Sequence, residues 1–351
     1  MQRTALIAGA TGAASKRLVE VLLENADWRV IGISRRPSGA SNARLTQVQC
    51  DLLDAEGCAR TLAAFQEVNH LFYTARAAFG EGGVEDVAQN VAMLRNVLDA
   101  VEAASPKLQH VHLVEGQKWY DVRLQFARLP TREDDPRHMP PNFYYDQEDL
   151  LRQRQEGKKW TWSASRPHFL YDYAPERARN VVSTIGAWAA MCAEHGLALD
   201  FPGSARCYSV LMEITDATQF AHALAWMADA PQARNQAYNV SDGGQFRWQE
   251  LWPKIAAHFG LRPGQVRPLK LAEAMRDKAP AWERIVRRHG LKPRPLQEVV
   301  SWDFADFLWG RENDNITSTA KIRRDGFHRA VDTEQQILAH LQRYRESRLL
   351  P

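Results

Sequence analysis

The feature that most constrains this chain is a glycine-containing turn near its start, between an apolar run and a helical pattern. The turn reads Gly9-Ala-Thr-Gly12-Ala-Ala-Ser15 and follows the apolar residues 4–8. Gly9 permits a tight turn, and Gly12 lets backbone N–H groups approach an anion at the positive end of the next helix. Ser15 stands where such motifs have a third glycine and is small enough for helix and strand to pack closely. The motif predicts a βα unit that binds a dinucleotide pyrophosphate, with a plain βα turn as the alternative.

Short β-prone runs alternate with helical patterns along much of the chain, which is typical of a parallel sheet covered on both faces. The predicted strands are Thr4–Ala8, Arg29–Ile33, Gln47–Cys50, His70–Tyr73, His110–Val114, Thr161–Ser165 and Gln236–Val240. The predicted helices are Lys16–Glu24, Glu56–Gln66, Val87–Ala103, Tyr144–Arg154, Val181–His195 and Thr218–Asp229. Because crossovers of this length are right-handed, the sequence predicts an α/β fold, a Rossmann-type doubly wound parallel sheet.

A change in character after Arg166-Pro167 predicts a second, smaller domain. Beyond that point the sequence becomes rich in Trp and Pro, with short helical patterns and turn signals. We therefore expect a mainly helical C-terminal substrate lobe. The expected boundaries are 1–166, joined by 214–240, for the dinucleotide-binding domain, and 167–213 with 241–351 for the lobe.

Composition and charge argue against several classes of protein. The chain has 45 Lys and Arg against 42 Asp and Glu, and this net charge of +3 is too balanced for a nucleic-acid binder. No apolar run approaches the roughly 18–20 residues of a membrane helix, and the start lacks the pattern of a signal peptide. The four cysteines form no Cys-x-x-Cys pair, so neither a disulfide scaffold nor a metal site is expected. We expect a cytoplasmic protein that binds neither nucleic acid nor membrane.

Residues after the second predicted strand indicate which dinucleotide is bound. This strand ends in Ser34-Arg35-Arg36. NAD-selective folds usually place an acidic residue there, whereas arginines accommodate a 2′-phosphate. Two adjacent guanidinium groups therefore favour NADP(H), with an exposed basic turn as the alternative. Asp51, after the third strand, is suited either to accept from the adenine amino group or to cap the helix near residue 54.

The catalytic pattern of short-chain dehydrogenases is altered in this chain. Those enzymes use Tyr-x-x-x-Lys, because positions i and i+4 share one helix face. Here Tyr144 and Tyr145 are followed four residues later by Glu148 and Asp149, and a carboxylate raises the pKa of a tyrosine. Either catalysis is lost or a cation comes from elsewhere. Lys118, just past the fifth strand at the edge where doubly wound folds bind substrates, is the candidate.

The displaced lysine and tyrosine resemble those of a known family. Gly116-x-Lys118-x-Tyr120 and Asn142-Phe-Tyr-Tyr-Asp146 are similar to motifs of the progesterone 5β-reductase/iridoid synthase-like (PRISE) family, atypical members of the extended short-chain dehydrogenases/reductases. Further similar stretches are Arg95–Val101, Trp162–Pro167, Ala237–Ser241, Phe246–Trp248 and Ala279–Val286. The resemblance implies NADPH-dependent reduction of the activated C=C bond of a small apolar enone or enal. It implies Tyr144 as the catalytic tyrosine, with Tyr145 as the alternative one position away, and Lys118 as the catalytic lysine.

With the resemblance, the glycine turn and the strand ends imply a set of residues that bind the cofactor. The set is Gly9, Thr11, Gly12, Ala13, Ala14, Ser34, Arg35, Arg36, Asp51, Leu52, Thr74, Ala75, Val114, Tyr144, Pro167 and Phe169. The chain departs from the family at three places: Glu115, the residues after Pro167, and Thr74-Ala75-Arg76, where the family has an aromatic residue. These departures keep the reaction class but put steroid or iridoid substrates in doubt, and Glu115 is placed to pair with Lys118.

The residue types suit the chemistry that the resemblance implies. Hydride addition to the β-carbon of an enone places negative charge on the carbonyl oxygen, where a tyrosine hydroxyl and an ammonium group stabilise it. One alternative is a carbonyl reductase, alcohol dehydrogenase or epimerase/dehydratase, which the missing Tyr-x-x-x-Lys argues against. The other is a non-catalytic regulator that senses NADP. By analogy within the superfamily, a homodimer formed through the predicted helices 87–103 and 144–154 is also expected.

Overall fold

The computed structural model describes residues 2–39, 41–78, 80, 84–121 and 127–351. The chain divides into two compact units. The first comprises the residues up to His168 together with Ala217–Ser241 and Thr317–Arg329, and the second comprises Phe169–Asp216, Asp242–Ile316 and Ala330–Pro351. The segment 317–329 packs in the first unit, whereas the sequence analysis groups it with the C-terminal lobe.

The secondary structure of the described residues alternates strands and helices in the first half and becomes mainly helical afterwards. The strands are β1 (Arg3–Ala8), β2 (Trp28–Ser34), β3 (Leu45–Gln49), β4 (His70–Tyr73), β5 (His110–Val114), β6 (Thr161–Pro167), β7 (Leu170–Tyr171), β8 (Leu199–Phe201), β9 (Thr215–Asp216), β10 (Gln236–Val240) and β11 (Pro263–Val266). The helices are α1 (Ala13–Glu24), α2 (Ala55–Leu62), α3 (Val87–Ala104), α4 (Phe143–Gln155), α5 (Val181–Glu194), α6 (Ala205–Ser209), α7 (Ala217–Asp229), α8 (Trp248–His258), α9 (Leu271–Ala274), α10 (Ala279–His289), α11 (Leu296–Val299), α12 (Trp302–Trp309), α13 (Ala320–Arg324) and α14 (Thr333–Glu346).

A seven-stranded sheet forms the centre of the first unit and confirms the predicted Rossmann-type fold. Its strand order is β10-β6-β5-β4-β1-β2-β3, and neighbouring strands pair in parallel. The order reverses between β1 and β4, so the carboxyl ends of these strands flank the crevice where doubly wound sheets bind ligands.

The apolar periodicity of the sequence explains how the helices cover this sheet. On α3, Leu94, Val97, Leu98 and Val101 are buried at i, i+3, i+4 spacing and join the core beneath the strands. All four residues of β4 are buried, as expected for a strand covered on both faces. The buried stripe therefore packs α3 against the sheet.

The second unit is built around helices and aromatic side chains. Helix α5 has twelve buried residues, so it runs through the core of the unit rather than along its surface. Trp248, Trp252 and Trp309 pack edge-on against one another and around Phe201. These tryptophans therefore fill the core of this unit.

Three further features bear on the protein class. Among the described residues, no helix combines the length and the apolar character that crossing a membrane requires. The same residues contain no group of three His, Cys, Asp or Glu side chains arranged to hold a metal ion. The cysteines Cys50, Cys58, Cys192 and Cys207 are free and buried.

Candidate active site

The glycine turn joins the carboxyl end of β1 to the start of α1. Gly9 has φ +87°, and a Cβ atom there would lie 3.0 Å from the backbone of Ala75, so only glycine fits. Gly12 is the N-cap of α1, so no side chain covers the first N–H groups of the helix from this position. A Cβ atom at Gly12 would lie 3.2 Å from the Gly9 carbonyl oxygen. The start of α1 thus presents backbone N–H groups and carries no acidic residue in its first turn, which suits a pyrophosphate.

Ser15 ties this turn to the end of β4. Its hydroxyl oxygen lies 2.8 Å from the Gly9 carbonyl oxygen and 2.5 Å from the Thr74 hydroxyl oxygen, and it can donate to either. The Thr74 hydroxyl in turn donates to the carbonyl oxygen of Ala8 at 2.8 Å. The predicted residues Thr74 and Ala75 therefore lie beside the glycine turn, and serine gives a polar link where a glycine would give none.

The residues at the end of β2 fit the ribose end of a dinucleotide. Ser34 is buried, and its hydroxyl makes no hydrogen bond to any part of the chain that the structure describes. A buried hydroxyl without a protein partner is unfavourable unless a ligand or water satisfies it. Arg35 and Arg36 follow immediately and are exposed, which suits binding of a phosphate from solvent.

Asp51 does not have the helix-capping role that the sequence leaves open for it. Asp54 caps α2 by accepting from the Gly57 N–H at 2.8 Å. The Asp51 carboxylate accepts instead from the N–H of Leu53 at 3.1 Å, within its own turn. Asp51 is exposed at the end of β3, where its carboxylate remains a candidate for binding adenine.

The remaining residues of the predicted set lie at several places in the two units. Those of the first unit are Thr11 in the glycine turn, Ala13 and Ala14 in the first turn of α1, Leu52 after β3, and Val114 and Pro167 at the ends of β5 and β6. Phe169 belongs to the second unit, where its ring packs edge-on against Phe307 at 5.6 Å between centroids.

Tyr144 lies in the first turn of α4, with its hydroxyl at the end of β5. A Cβ atom on Gly116 would lie 3.0 Å from the Tyr144 hydroxyl oxygen, so the phenol rests against the backbone at that edge of the sheet. Tyr145 is held differently, because its buried hydroxyl donates to the Trp119 carbonyl oxygen at 2.6 Å and accepts from the His138 N–H at 3.0 Å. The Tyr145 hydroxyl is therefore occupied by backbone groups, whereas the Tyr144 hydroxyl lies at the edge of the sheet beside Gly116.

Lys118 lies in a single helical turn, 117–120, directly after Gly116. Asn142 connects this turn to α4, since its amide donates to the Lys118 carbonyl oxygen at 3.1 Å and its side-chain oxygen accepts from the Tyr144 N–H at 3.3 Å. The Lys118 ammonium lies 5.7 Å from the centre of the Phe143 ring, which packs on the Tyr144 ring with centroids 4.3 Å apart. The structure thus brings the candidate lysine and tyrosine to one edge of the sheet.

Electrostatics keep the Tyr144 phenol protonated at neutral pH. Burial raises the pKa of Tyr144 to about 12, while the guanidinium of Arg76 lowers it and the carboxylate of Glu115 raises it. A protonated phenol donates a hydrogen bond and does not act as a base. The phenol can therefore donate a hydrogen bond to a developing oxyanion.

A buried group of charges stands behind these residues, and Arg166 is its centre. Arg166 donates to Glu115 at 2.7 Å and to Glu148 at 3.0 Å, with all three side chains at most 2% exposed. Its guanidinium also lies 3.6 Å from the ring centre of Trp119. Burial raises the pKa of Glu115 to about 8 despite Arg166, and Glu148 adds to this rise. Glu115 thus binds Arg166. From the sequence, Glu115 is placed to pair with Lys118, but the structure pairs Lys118 with Glu85.

Comparison with known proteins decides the family. The sequence model of the PRISE-like Rossmann-fold domain matches residues 38–351. The chain is 34% identical to a 3-oxo-Δ4,5-steroid 5β-reductase of Arabidopsis thaliana and 32% identical to an (S)-8-oxocitronellyl enol synthase of Nepeta racemosa. Each alignment covers 100% of this chain and 94% of the relative. This chain belongs to the PRISE-like family.

Solved structures similar to this PRISE-like chain share its fold. UDP-glucose 4-epimerase of Thermotoga maritima superposes with a TM-score of 0.70 at 15% identity, over 98% of this chain and 99% of the other. WbmG of Bordetella bronchiseptica, solved with NAD and UDP, gives 0.69 at 17% identity, over 100% and 97%. At such low identities these similarities show the extended dehydrogenase/reductase fold alone.

The contact between Gly116 and Tyr144 in this PRISE-like chain predicts the effect of a small substitution. We expect Gly116→Ala to lower kcat about tenfold, because the added methyl group displaces the Tyr144 hydroxyl by tenths of an ångström. Gly116 has an extended backbone (φ −176°), so alanine adds no backbone strain and thermal unfolding should change little. Gly157→Ala is unsuitable as a control because Gly157 has φ +72°, whereas Gly244→Ala meets nothing within 4 Å. An unchanged kcat in Gly116→Ala would contradict this placement of the phenol.

Several contacts in the site are not found by sequence reasoning. Asn142 has a sequence signal, because asparagine before a helical pattern predicts a cap, although its second bond to Lys118 is not predictable. The hydrogen bonds of Arg166 with Glu115 and Glu148 have no sequence signal, since they join residues 51 and 18 positions apart.

Proposed function

We propose that this protein is an NADPH-dependent reductase of the activated C=C bond of small α,β-unsaturated carbonyl compounds. The observation that carries the proposal is a protonated Tyr144 hydroxyl resting against Gly116 at the carboxyl edge of the sheet, with Glu148 rather than lysine one helical turn onward. The relatives support this activity, because the name 3-oxo-Δ4,5-steroid 5β-reductase denotes reduction of a conjugated enone. The reaction class then follows from family and site together.

The first unit offers the residues that would hold NADP(H). The backbone of the Gly9–Gly12 turn would bind the pyrophosphate, because Gly12 begins α1 and the first turn of that helix carries no acidic residue. The buried, unpaired hydroxyl of Ser34 and the exposed Arg35 and Arg36 would bind the ribose and its 2′-phosphate. When bound, the cofactor supplies hydride to the β-carbon of the substrate.

Tyr144 and Lys118 would act on the carbonyl oxygen of the substrate. As the enolate forms, the Tyr144 hydroxyl donates a hydrogen bond to the oxygen, and this bond strengthens as negative charge develops. The Lys118 ammonium lies near Phe143 at the same edge, where it pairs with the carboxylate of Glu85. Protonation of the α-carbon can come from solvent, so the reaction requires no third catalytic side chain.

The alternative functions fit these residues less well. Alcohol oxidation and sugar epimerisation need a tyrosinate-like base supported by a lysine one helical turn onward, whereas this chain has Glu148 at that position. The epimerases among the structural neighbours share the fold alone and do not bear on the chemistry. A sensor that binds NADP without turnover does not require the Tyr144 hydroxyl at the carboxyl edge of the sheet.

The test is turnover with defined substrates and identification of the product. NADPH would be mixed with 2-cyclohexenone, methyl vinyl ketone, citral or progesterone, and its oxidation followed by absorbance. Mass spectrometry and NMR would then distinguish the saturated carbonyl compound from an allylic alcohol. A saturated product supports the proposal, an allylic alcohol supports a carbonyl reductase, and tight NADP binding without turnover supports the sensor.

The arginine pair after β2 predicts cofactor preference. We expect the double variant Arg35→Ala, Arg36→Ala to lose its preference for NADPH over NADH, because both guanidinium groups are exposed where a 2′-phosphate would lie. The change should appear as a rise in KM for NADPH with little change for NADH. Arg60→Ala on α2, also exposed, is the matched control for lost charge. A native protein that prefers NADH would contradict the assignment.

The homodimer and the cytoplasmic location remain predictions from the sequence. The proposed partner is a small apolar enone or enal.

A further inference from the structure

One carboxylate at the candidate site is shared by two cations. Glu85, two residues before α3, forms an ion pair with the ammonium of Lys118 through one oxygen atom. Its other oxygen lies 3.7 Å from the guanidinium of Arg76, which follows β4. The Glu85 side chain is 13% exposed and that of Arg76 is 41% exposed. Two segments, one between β4 and α3 and the other directly after β5, thus place two positive charges and one negative charge together.

We propose that Arg76 is a positioning residue for Tyr144. Glu85 holds the Arg76 guanidinium beside Lys118, so that the charge of Arg76 adds to the charge of the lysine at the carboxyl edge of the sheet. The inference rests on the proposed function, because it assigns Arg76 a role in stabilising the enolate through the phenol. Arg76 itself is not assigned contact with the substrate.

The need for a second cation follows from the ion pair of Lys118. A carboxylate in contact with an ammonium group offsets most of its field at a third site. Since Glu85 binds Lys118 in this way, the lysine alone gives little net positive charge at the phenol. Arg76 on the other carboxylate oxygen brings the net charge of the three groups back to +1.

The charges that face Tyr144 support this assignment. From the segment after β4 comes Arg76, whose guanidinium lowers the pKa of the phenol, and from the end of β5 comes Glu115, which raises it. Lys118 reaches the neighbouring Phe143 ring from the turn after β5. A cation that lowers the pKa of the phenol also strengthens the hydrogen bond that the phenol donates to an enolate. The position is also one at which this chain departs from the aromatic residue that the family resemblance implies.

The test is a double-mutant cycle between Arg76 and Tyr144. We expect Arg76→Met to lower kcat for 2-cyclohexenone about fivefold to tenfold, a modest loss because the guanidinium is partly exposed to solvent. Arg76→Lys should restore most of the rate, and the Kd for NADPH, measured by fluorescence titration, should stay unchanged in both variants. In a Tyr144→Phe background, Arg76→Met should cause no further loss, because the hydroxyl through which it acts is gone.

Arg60→Met on α2, an exposed arginine that pairs with Glu56, is the control for the loss of a surface charge and should keep the wild-type rate. An equal loss from Arg76→Met with and without the Tyr144 hydroxyl would overturn the inference, as would a raised Kd for NADPH or no rescue by lysine. A wild-type rate in Arg76→Met beside an impaired Tyr144→Phe overturns this inference alone. A wild-type rate in Tyr144→Phe overturns the proposed function and the inference with it.

Discussion

Tyr144→Phe should lower kcat for an enone substrate by about 10²–10³-fold and leave the Kd for NADPH unchanged. The variant removes one hydrogen-bond donor to a developing oxyanion, which elsewhere is worth about 3–4 kcal/mol of transition-state stabilisation. Because the hydroxyl rests against the Gly116 backbone and phenylalanine keeps the ring, the fold should be preserved. Steady-state kinetics with 2-cyclohexenone and NADPH, together with a fluorescence titration of NADPH, measure both quantities.

Tyr145→Phe is the matched control for this prediction. It removes the same atom one residue away, from a hydroxyl that donates to the Trp119 carbonyl oxygen at 2.6 Å and accepts from His138. Loss of these bonds should lower the free energy of unfolding by about 1–3 kcal/mol, since a buried carbonyl loses its partner, while kcat stays within a few-fold of wild type. The reverse pattern, with Tyr145→Phe inactive and Tyr144→Phe active, would exchange the roles of the two tyrosines.

Arg166→Met should lower the free energy of unfolding by about 3–5 kcal/mol at neutral pH. Methionine replaces only the apolar stem of arginine and leaves the carboxyl groups of Glu115 and Glu148 buried without their shared cation. The stacking of the guanidinium on Trp119 is lost as well. Chemical denaturation followed by circular dichroism measures the loss, and the activity should fall too, because Glu115 directly precedes Gly116.

Arg152→Met is the control for Arg166→Met, because it removes an exposed arginine instead of a buried one. Arg152 pairs with the same Glu148 at 2.6 Å, but its own side chain is 54% exposed. Exposed ion pairs contribute about 0–1 kcal/mol, so this variant should unfold close to wild type. If both variants lost equal stability, the importance assigned to the buried arginine would be wrong.

Much of the fold could be predicted because its signals are local. The strands β4, β5 and β10 begin and end at the predicted residues, and α3 differs by one residue at its end. Alternation and helical periodicity depend on residues only a few positions apart, so a sequence carries them directly. The assignment of Thr317–Arg329 to the C-terminal lobe differs from the structure, because a short helix such as α13 carries no signal for the unit in which it packs.

Only part of the candidate site could be predicted from the sequence. The glycine turn follows from spacing along the chain, Tyr144 follows from the family resemblance, and Lys118 follows from the position of a strand end and from that resemblance. The ion pair of Lys118 with Glu85 and the placement of Arg76 could not be predicted, since they depend on how the connection between β4 and α3 meets the turn after β5.

The sequence by itself determined the doubly wound sheet, the turn suited to a dinucleotide and the family, because periodicity, glycine sterics and motif spacing are properties of neighbouring residues. Tertiary structure alone decided which of two adjacent tyrosines presents its hydroxyl and which carboxylate each cation binds. The physical reason is that Coulomb interactions and hydrogen bonds depend on distances in space. Arg166 reaches Glu115 across 51 residues and at 2.7 Å, a proximity that only the folded chain creates.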